Sequence, residues 1–331
     1  MPLRFDWRRG PRCPQPLVEP GGAVIGNLAY LFNGFQSIDK VSNCCHVFDL
    51  ARKEWVDQFA TPPDMPQTHM GMTTDGARHI FSIGGQWGAQ CSPCTDRCYV
   101  YDTLSRTWER LPNLPEPRYL GVAQFWSGRV HIIGGSRPDR CTPVGEHWSL
   151  GIKNGRASEP GWREEIAIPR GGIHRGAVLV NNSLYVLGGT EGDVKPVPGD
   201  EHFRCDWNTP PELFHGEVYR LDARGQEWVR LADLPLAIAH SDASTIAIGD
   251  CILLFGGTTS RVKCTDTVLR YRIPSGRWEV IGYLPYHMKS SFVVSFGEEI
   301  FLLTGQRSVS PDDQRAGKVL DTVWVANYPT R

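Results

Sequence analysis

A chain of 331 residues is long for one domain, yet all-β folds reach this size as single units. Hydrophobic residues at 40% suffice for a packed core, and Lys+Arg 35 against Asp+Glu 36 excludes a global field that would recruit nucleic acid or an anionic membrane. No apolar run approaches the ~18 residues of a transmembrane helix, and positions 1–10 are polar and basic, so no membrane span or targeting segment is expected in the sequence as written; for an excised chain it would lie upstream.

Gly 35, Pro 25 and Trp 11 imply many short strands joined by turns. In chain order, Trp7 comes first, with Pro14 seven residues on, and the apolar run YLFNG then ends at Gly34. The same succession recurs with Trp55, Pro62 and Gly85, with Trp108, Pro115 and Gly135, and with Trp162, Pro169 and Gly189. It closes with Trp228, Pro235 and Gly257, and with Trp278, Pro285 and Gly305. From each Trp to the next glycine mark the distances are 27, 30, 27, 27, 29 and 27 residues; from glycine to the next Trp they are 21, 23, 27, 39 and 21. One half of the repeat is fixed and the other tolerates insertion, as loops do.

Runs such as 28–32, 130–133, 184–187 and 252–255 are too short for helices and are bounded by Gly, Asn or Asp, which reads as strand. The diglycine allows a sharp turn and close backbone approach. Four strands per repeat of about 50 residues is the period of a kelch blade. The expected fold is therefore all-β, a six-bladed kelch β-propeller occupying 1–331 as a single domain. After Gly305 one further strand, 319–326, remains before the chain stops without a Trp, while Trp7 stands at the register of its siblings. The N-terminal strand is expected to complete the last blade, which removes a vulnerable edge.

The loops joining strands two and three, at 86–97, 136–146, 190–215, 258–265 and 306–318, hold the expected insertions and open on one face. The starts of the innermost strands point to that face and carry Glu19, His69, Arg118, Tyr119, His174, Arg175, His240, Ser241, Asp242, Lys289 and Ser290. Such an Arg/Lys/His-rich ring suits a carboxylate, phosphate or uronic acid. Glu19, Arg118, Tyr119, Arg175 and Lys289, with the loop residues Arg307 and Trp87, are the candidate ligand-binding set. His69, His174 and His240 with Asp242 are the candidate acid–base residues for an isomerisation. A solvated channel mouth would be polar as well. Glu146-His147-Trp148 with Trp87 and Trp207 offers an aromatic wall for a sugar, although Trp148 fits better in the core.

Nine of the ten cysteines gather beside these loops, at 13, 44, 45, 91, 94, 98, 141, 205 and 264, and Cys251 reads as a strand residue. The clustering favours disulfides that pin loops. A zinc site on Cys91, Cys94 and Cys98 is the sharper alternative, without the paired spacing of strong zinc motifs, and free thiols are the third. Carboxylates and histidines in 190–215, among them Glu191, Asp193, Asp200, Glu201, His202, Asp206, Glu212 and His215, would suit a divalent metal, as would any polar loop suit solvent. No motif requires a cofactor. One sequon, Asn181-Asn182-Ser183, permits glycosylation.

The stretches YLFNGFQSIDKV, THMGMTTDG, EHWSLGIKNG, PRGGIHRGAVLVNNSLYVLGGTEGD, FGGTTSR and LTGQRSVSPDD resemble the plant galactose oxidase/kelch repeat superfamily proteins of the endomembrane system. The resemblance covers nearly the whole chain; with the cysteine content it implies a Golgi or secreted setting. It brings no settled activity. The chain is unlike galactose oxidase in blade number and in lacking its copper-site pattern. It is similar in architecture to bacterial sialic-acid mutarotases, and it lacks the Glu-x3-Asp-x3-His spacing of the iron-binding plant specifier proteins. The leading expectation is a propeller that binds a small anionic or sugar-like molecule on the elaborated face, with an isomerase- or epimerase-like or related reaction as the extension of that reading. The alternative is a protein-interaction module using the same face, and a lesser one is a metal-dependent enzyme using 190–215.

Overall fold

The second strand of each repeat is apolar at nearly every position, and each is buried on both sides; the outer strand alternates, as in Glu54–Ala60, where exposed and half-buried residues take turns. Those two patterns define a blade wedged between neighbours with a solvated rim. The computed structural model describes residues 5–37, 39–89, 92–192, 213–260 and 263–328, and among these there is no α-helix. No helix is therefore long and apolar enough to cross a membrane.

Six antiparallel blades follow in chain order. The first runs from the axis outward through Gly21–Ile25, Leu28–Phe32, Cys44–Asp49 and Glu54–Ala60. The inner strands of the others are Gly71–Thr74, Val122–Trp126, Gly176–Val180, Thr245–Ile248 and Phe292–Phe296. Each inner strand packs on the next, and the last returns to the first, where a Cβ on Gly22 would lie 2.2 Å from the Phe292 ring. Six apolar cores sit between blades rather than within them, such as Tyr30, Phe32 and Val47 of blade one against Ile80 and Tyr101 of blade two. Trp148 belongs to one of these cores, as its strand position implied.

The N-terminal strand Arg8–Arg9 pairs with Ala316–Asn327, Arg8 opposite Val325 and Arg9 opposite Trp324, and so completes the sixth blade. The repeated tryptophans act as latches between blades. Trp55 donates its indole N–H to the Pro11 carbonyl (3.3 Å), Trp162 to Pro112 (2.9 Å) and Trp228 to Ile166 (3.1 Å). Trp278 donates to Ala232 (3.0 Å) and Trp7 to Tyr283 (2.9 Å). Every acceptor stands just past the Trp of the preceding blade, which is why one residue type recurs at one spacing. Trp108 instead packs its ring against Tyr101 and Phe32, with centroids 4.8 and 5.6 Å away.

Two expectations need correction. The extra length of blade three lies on the opposite face, not in its second-to-third-strand loop. From Cys45 to Trp55 and from Val268 to Trp278 the spacing is the same, whereas His147 to Trp162 is five residues longer and holds the small hairpin Ile152–Ala157, Lys153–Arg156. Second, the eight cysteines among the described residues are all free thiols; Cys91 and Cys205 lie outside the described residues. Burial pushes Cys13 and Cys98 up to about 12 and Cys264 up to about 11, so these thiols are protonated and unreactive. Cys98 packs in the core between blades two and three and Cys94 against Tyr119, Leu120 and Ile173, so the two do not share a zinc site.

Candidate functional site

The site is built on a backbone feature repeated in every blade. Glu19, His69, Leu120, His174, His240 and Ser290, each just before an inner strand, adopt left-handed backbone with φ between +51° and +57°. A non-glycine residue in that region is uncommon and costs about 1–2 kcal/mol, so something must hold it there. The preceding residue bridges to the one after the glycine mark: Val18 to Phe35, Thr68 to Gln86, Tyr119 to Ser136, Ile173 to Thr190, Ala239 to Thr258 and Lys289 to Gln306. The glycine makes this approach possible. A Cβ on Gly135 would lie 2.6 Å from the Tyr119 carbonyl, and one on Gly257 2.5 Å from that of Ala239, at φ +93° and +108°. The sequence repeat thus fixes the same backbone turn at six places around one axis.

At the axis Glu19 is the hub. His69 Nε2 lies 2.7 Å from Glu19 Oε2, and Lys289 Nζ donates to Oε1 at 2.9 Å. His240 Nε2 stands 3.7 Å from Oε1 and its ring stacks on His174, centroids 3.6 Å apart. His174 Nδ1 is 3.7 Å from Asp242 Oδ1. Thr68 and Thr258 hydroxyls hold the Nδ1 atoms of His69 and His240 at 2.9 and 2.8 Å. Glu19, His69, His174, His240 and Lys289 are all buried. Burial would raise the Glu19 carboxyl, but the Lys289 ammonium and His69 outweigh it and hold Glu19 well below the usual carboxylate range. Burial lowers His69, against the opposing pull of Glu19.

The remaining candidates do not join this cluster. Arg118 is buried, with its guanidinium 4.4 Å over Trp148 and 3.3 Å from Glu146 Oε2. Arg175 is buried too, donating to the Arg170 carbonyl (2.6 Å) and lying over Tyr219. Both therefore run between strands rather than into the ring. Tyr119 does reach it, its ring 4.6 Å from that of His69, and Arg140 covers Tyr119 at 4.3 Å and donates to its hydroxyl. Spacing could not have found Arg140, which arrives from the 136–146 loop. Arg307 lies over Tyr286, and Trp87 is exposed with the Arg97 guanidinium 5.1 Å over its ring. Of the proposed aromatic wall, His147 is buried against His131, and Trp207 lies outside the described residues. In the long insertion 193–212 lies outside them as well, so Asp193, Asp200, Glu201, His202, Asp206 and Glu212 receive no structural account, while Glu191 pairs with Arg170 and His215 is buried.

Beside the ring runs an axial cavity of about 470 Å³ lined by all six inner strands, including Gly22, Met72, Ala123, Ala177, Thr245 and Phe292. Among the described residues Asp242 is the one charged group on its wall. Facing the loops, Trp87, Leu236 and Val309 are exposed apolar residues, at 47%, 41% and 52%.

A six-bladed propeller with its first strand in its last blade is the class that this geometry defines. Residues 22–232 match the KLHDC2/KLHL20/DRC7 Kelch-repeats domain, and the chain belongs to the kelch-repeat family. It is 36% identical over 326 residues to the Kelch repeat-containing protein At3g27220 of Arabidopsis thaliana, covering 97% of this chain and 75% of that protein. Kelch-like protein terF of Aspergillus terreus is 24% identical across 81% of this chain and 56% of its own length; human Kelch-like protein 23 is 22% identical across 73% and 38%. Against the solved structure of YjhT the TM-score is 0.71 at 14% identity, covering 94% of this chain and 95% of that one, which speaks for the fold.

Proposed function

We propose that this propeller is a protein-binding module that docks a partner on its loop-bearing face. The observation that carries the reading is the internal pairing of the axial ring. Its carboxylate is paired with Lys289 and His69, both of them buried, and among the described residues the neighbouring cavity presents no basic side chain. What the face offers to solvent is Trp87, Leu236 and Val309 amid rim ion pairs such as Arg137–Glu116 and Arg170–Glu191. Exposed aromatic and aliphatic anchors with a charged rim are the composition of a protein interface. Membership of the kelch-repeat family supports the same reading.

Cross-linked capture with the full chain tests it by comparison of faces. Trp87→Ala with Val309→Asp should abolish a captured partner, while Leu104→Asp, exposed on the opposite face, should retain it. Equal capture by both variants would sink the proposal. A saturable rise in melting temperature with a sugar acid, absent in Lys289→Met, would return the function to a small anionic ligand.

A further inference from the structure

We propose that Glu19, His69 and His174 form a site for a divalent first-row transition ion of the zinc kind, placed on the propeller axis to tie blades one, two and four together. Each residue offers one donor atom, these atoms lie within 4.8 Å of one another, and all three residues are buried. Two imidazoles and a carboxylate are a nitrogen–oxygen set that suits zinc-like ions better than calcium or magnesium. In a tetrahedral site with bonds of ~2.0–2.1 Å, donors stand roughly 3.4 Å apart. The 2.7 Å Glu19–His69 contact would therefore open, and any pair near the 4.8 Å limit would close, to reach that spacing.

Three features favour this over a chance gathering of polar groups. The donors sit on backbone pinned by the bridges at Val18, Thr68 and Ile173, so little freedom is lost on binding. Second, His69 Nδ1 faces the Thr68 hydroxyl, which donates or accepts with equal ease. The imidazole can then carry its proton on Nδ1 and turn a bare Nε2 toward the ion, the usual outer-sphere arrangement. Asp242 Oδ1 stands 3.7 Å from His174 Nδ1, and His240 Nε2 lies 3.7 Å from Glu19 Oε1, outside the three-donor group, so water would fill the fourth position. Third, the fold already sets a cation against this carboxylate, since Lys289 Nζ lies 2.9 Å from Oε1. That ammonium competes with the ion and must swing aside, which makes it the most informative position to change.

The test is titration of the chelator-treated 331-residue chain with Zn(II), read by calorimetry and melting temperature, and with Co(II), read by visible absorption. A single equivalent should bind and raise the melting temperature, and Co(II) should give the intense bands of a four-coordinate nitrogen–oxygen site. Lys289→Met should tighten binding by about tenfold or more, as a like charge beside the ion is removed. Thr68→Val should weaken it by roughly ten- to a hundredfold through loss of the outer partner. His69→Gln and His174→Gln should each abolish it while circular dichroism reports a folded chain. His287→Ala, at a partly exposed histidine away from the axis, should change nothing. If neither the natural chain nor Lys289→Met binds Zn(II), or if binding survives His69→Gln with His174→Gln, the site does not exist. Thiolate-to-Co(II) charge-transfer bands would move the ion to cysteines and overturn the assignment equally. Loss of the protein-docking face through Trp87 and Val309 leaves these readouts untouched, so the two proposals fail separately.

Discussion

The tryptophan belt and the axial ring are built by the same repeat and behave oppositely. In the belt one backbone position carries the same side chain six times, and five of the indoles make the same bond to the preceding blade. At the ring one backbone position, held at the same left-handed φ, carries Glu, His, Leu, His, His and Ser. Repetition of side chain marks scaffold. Repetition of backbone with divergent side chains marks the place where the molecule has been individualised.

The sharpest way to break both regions at once is the glycine that serves them. Gly135→Val or Gly257→Val would force a Cβ within 2.6 or 2.5 Å of a backbone carbonyl, at a φ that β-branched residues avoid. The expected loss is about 4 kcal/mol or more, seen as a collapse of the urea midpoint or as insoluble chain. Normal stability in either variant would mean that the ring is not held by that approach. Next comes the ring alone. Glu19→Gln removes the carboxylate from a buried ammonium and should cost about 3–5 kcal/mol, while Glu19→Gln with Lys289→Met should recover much of it. A double-mutant cycle with no coupling would dismiss the pairing that the proposed function rests on.

How much of this the sequence disclosed follows the same division. Blade number, strand order and closure on Trp7 were legible because they rest on intervals between identical residues. At the ring, counting five residues beyond Pro14, Pro169 and Pro235 reaches Glu19, His174 and His240, and the same count beyond Pro115 reaches Leu120, not Arg118. Arg118 and Arg175 were mistaken for ring members because a side chain's direction depends on local φ, which spacing does not reveal. Arg140 was invisible because a loop's reach follows from its path and not its length. The extra length of blade three was assigned to the 136–146 loop for a similar reason: an interval from glycine to Trp spans two connections, and its length does not say which of them grew.

Acid should strain the scaffold further out. His131 and His147 share a contact of 2.9 Å between Nδ1 and Nε2, and His147 Nδ1 donates to the Ile166 carbonyl. Burial pushes His131 down to about 3 and His147 to about 4, from 6.5. The unfolded chain therefore binds more protons below pH 6.5, so stability is complete above that value and falls as pH drops toward the folded values. Between pH 7 and 5 the expected loss is about 2 kcal/mol per histidine. Urea midpoints across this range measure it, and His131→Phe with His147→Leu should flatten the curve. An unchanged slope in that variant would assign acid sensitivity to other groups.

The smallest effect bears on whether the belt works seam by seam or as a ring. Trp278→Phe keeps an aromatic ring against Tyr271, now 5.0 Å away, and deletes the N–H that bonds Ala232. The loss should be about 1 kcal/mol, the net worth of one hydrogen bond. Trp162→Phe should cost a similar amount at the seam between blades three and two. If each latch acts only on its own seam, the two losses add within about 0.5 kcal/mol, since they share no partner. A propeller closed by its first strand has another option: opening one seam relaxes the whole circle, and the second loss then becomes smaller than the first. Trp7 decides between them, because its bond to Tyr283 holds the closing strand itself. Additivity for Trp278 with Trp162, but a shortfall whenever Trp7→Phe is included, would locate the cooperativity of the ring in its closure and not in its latches.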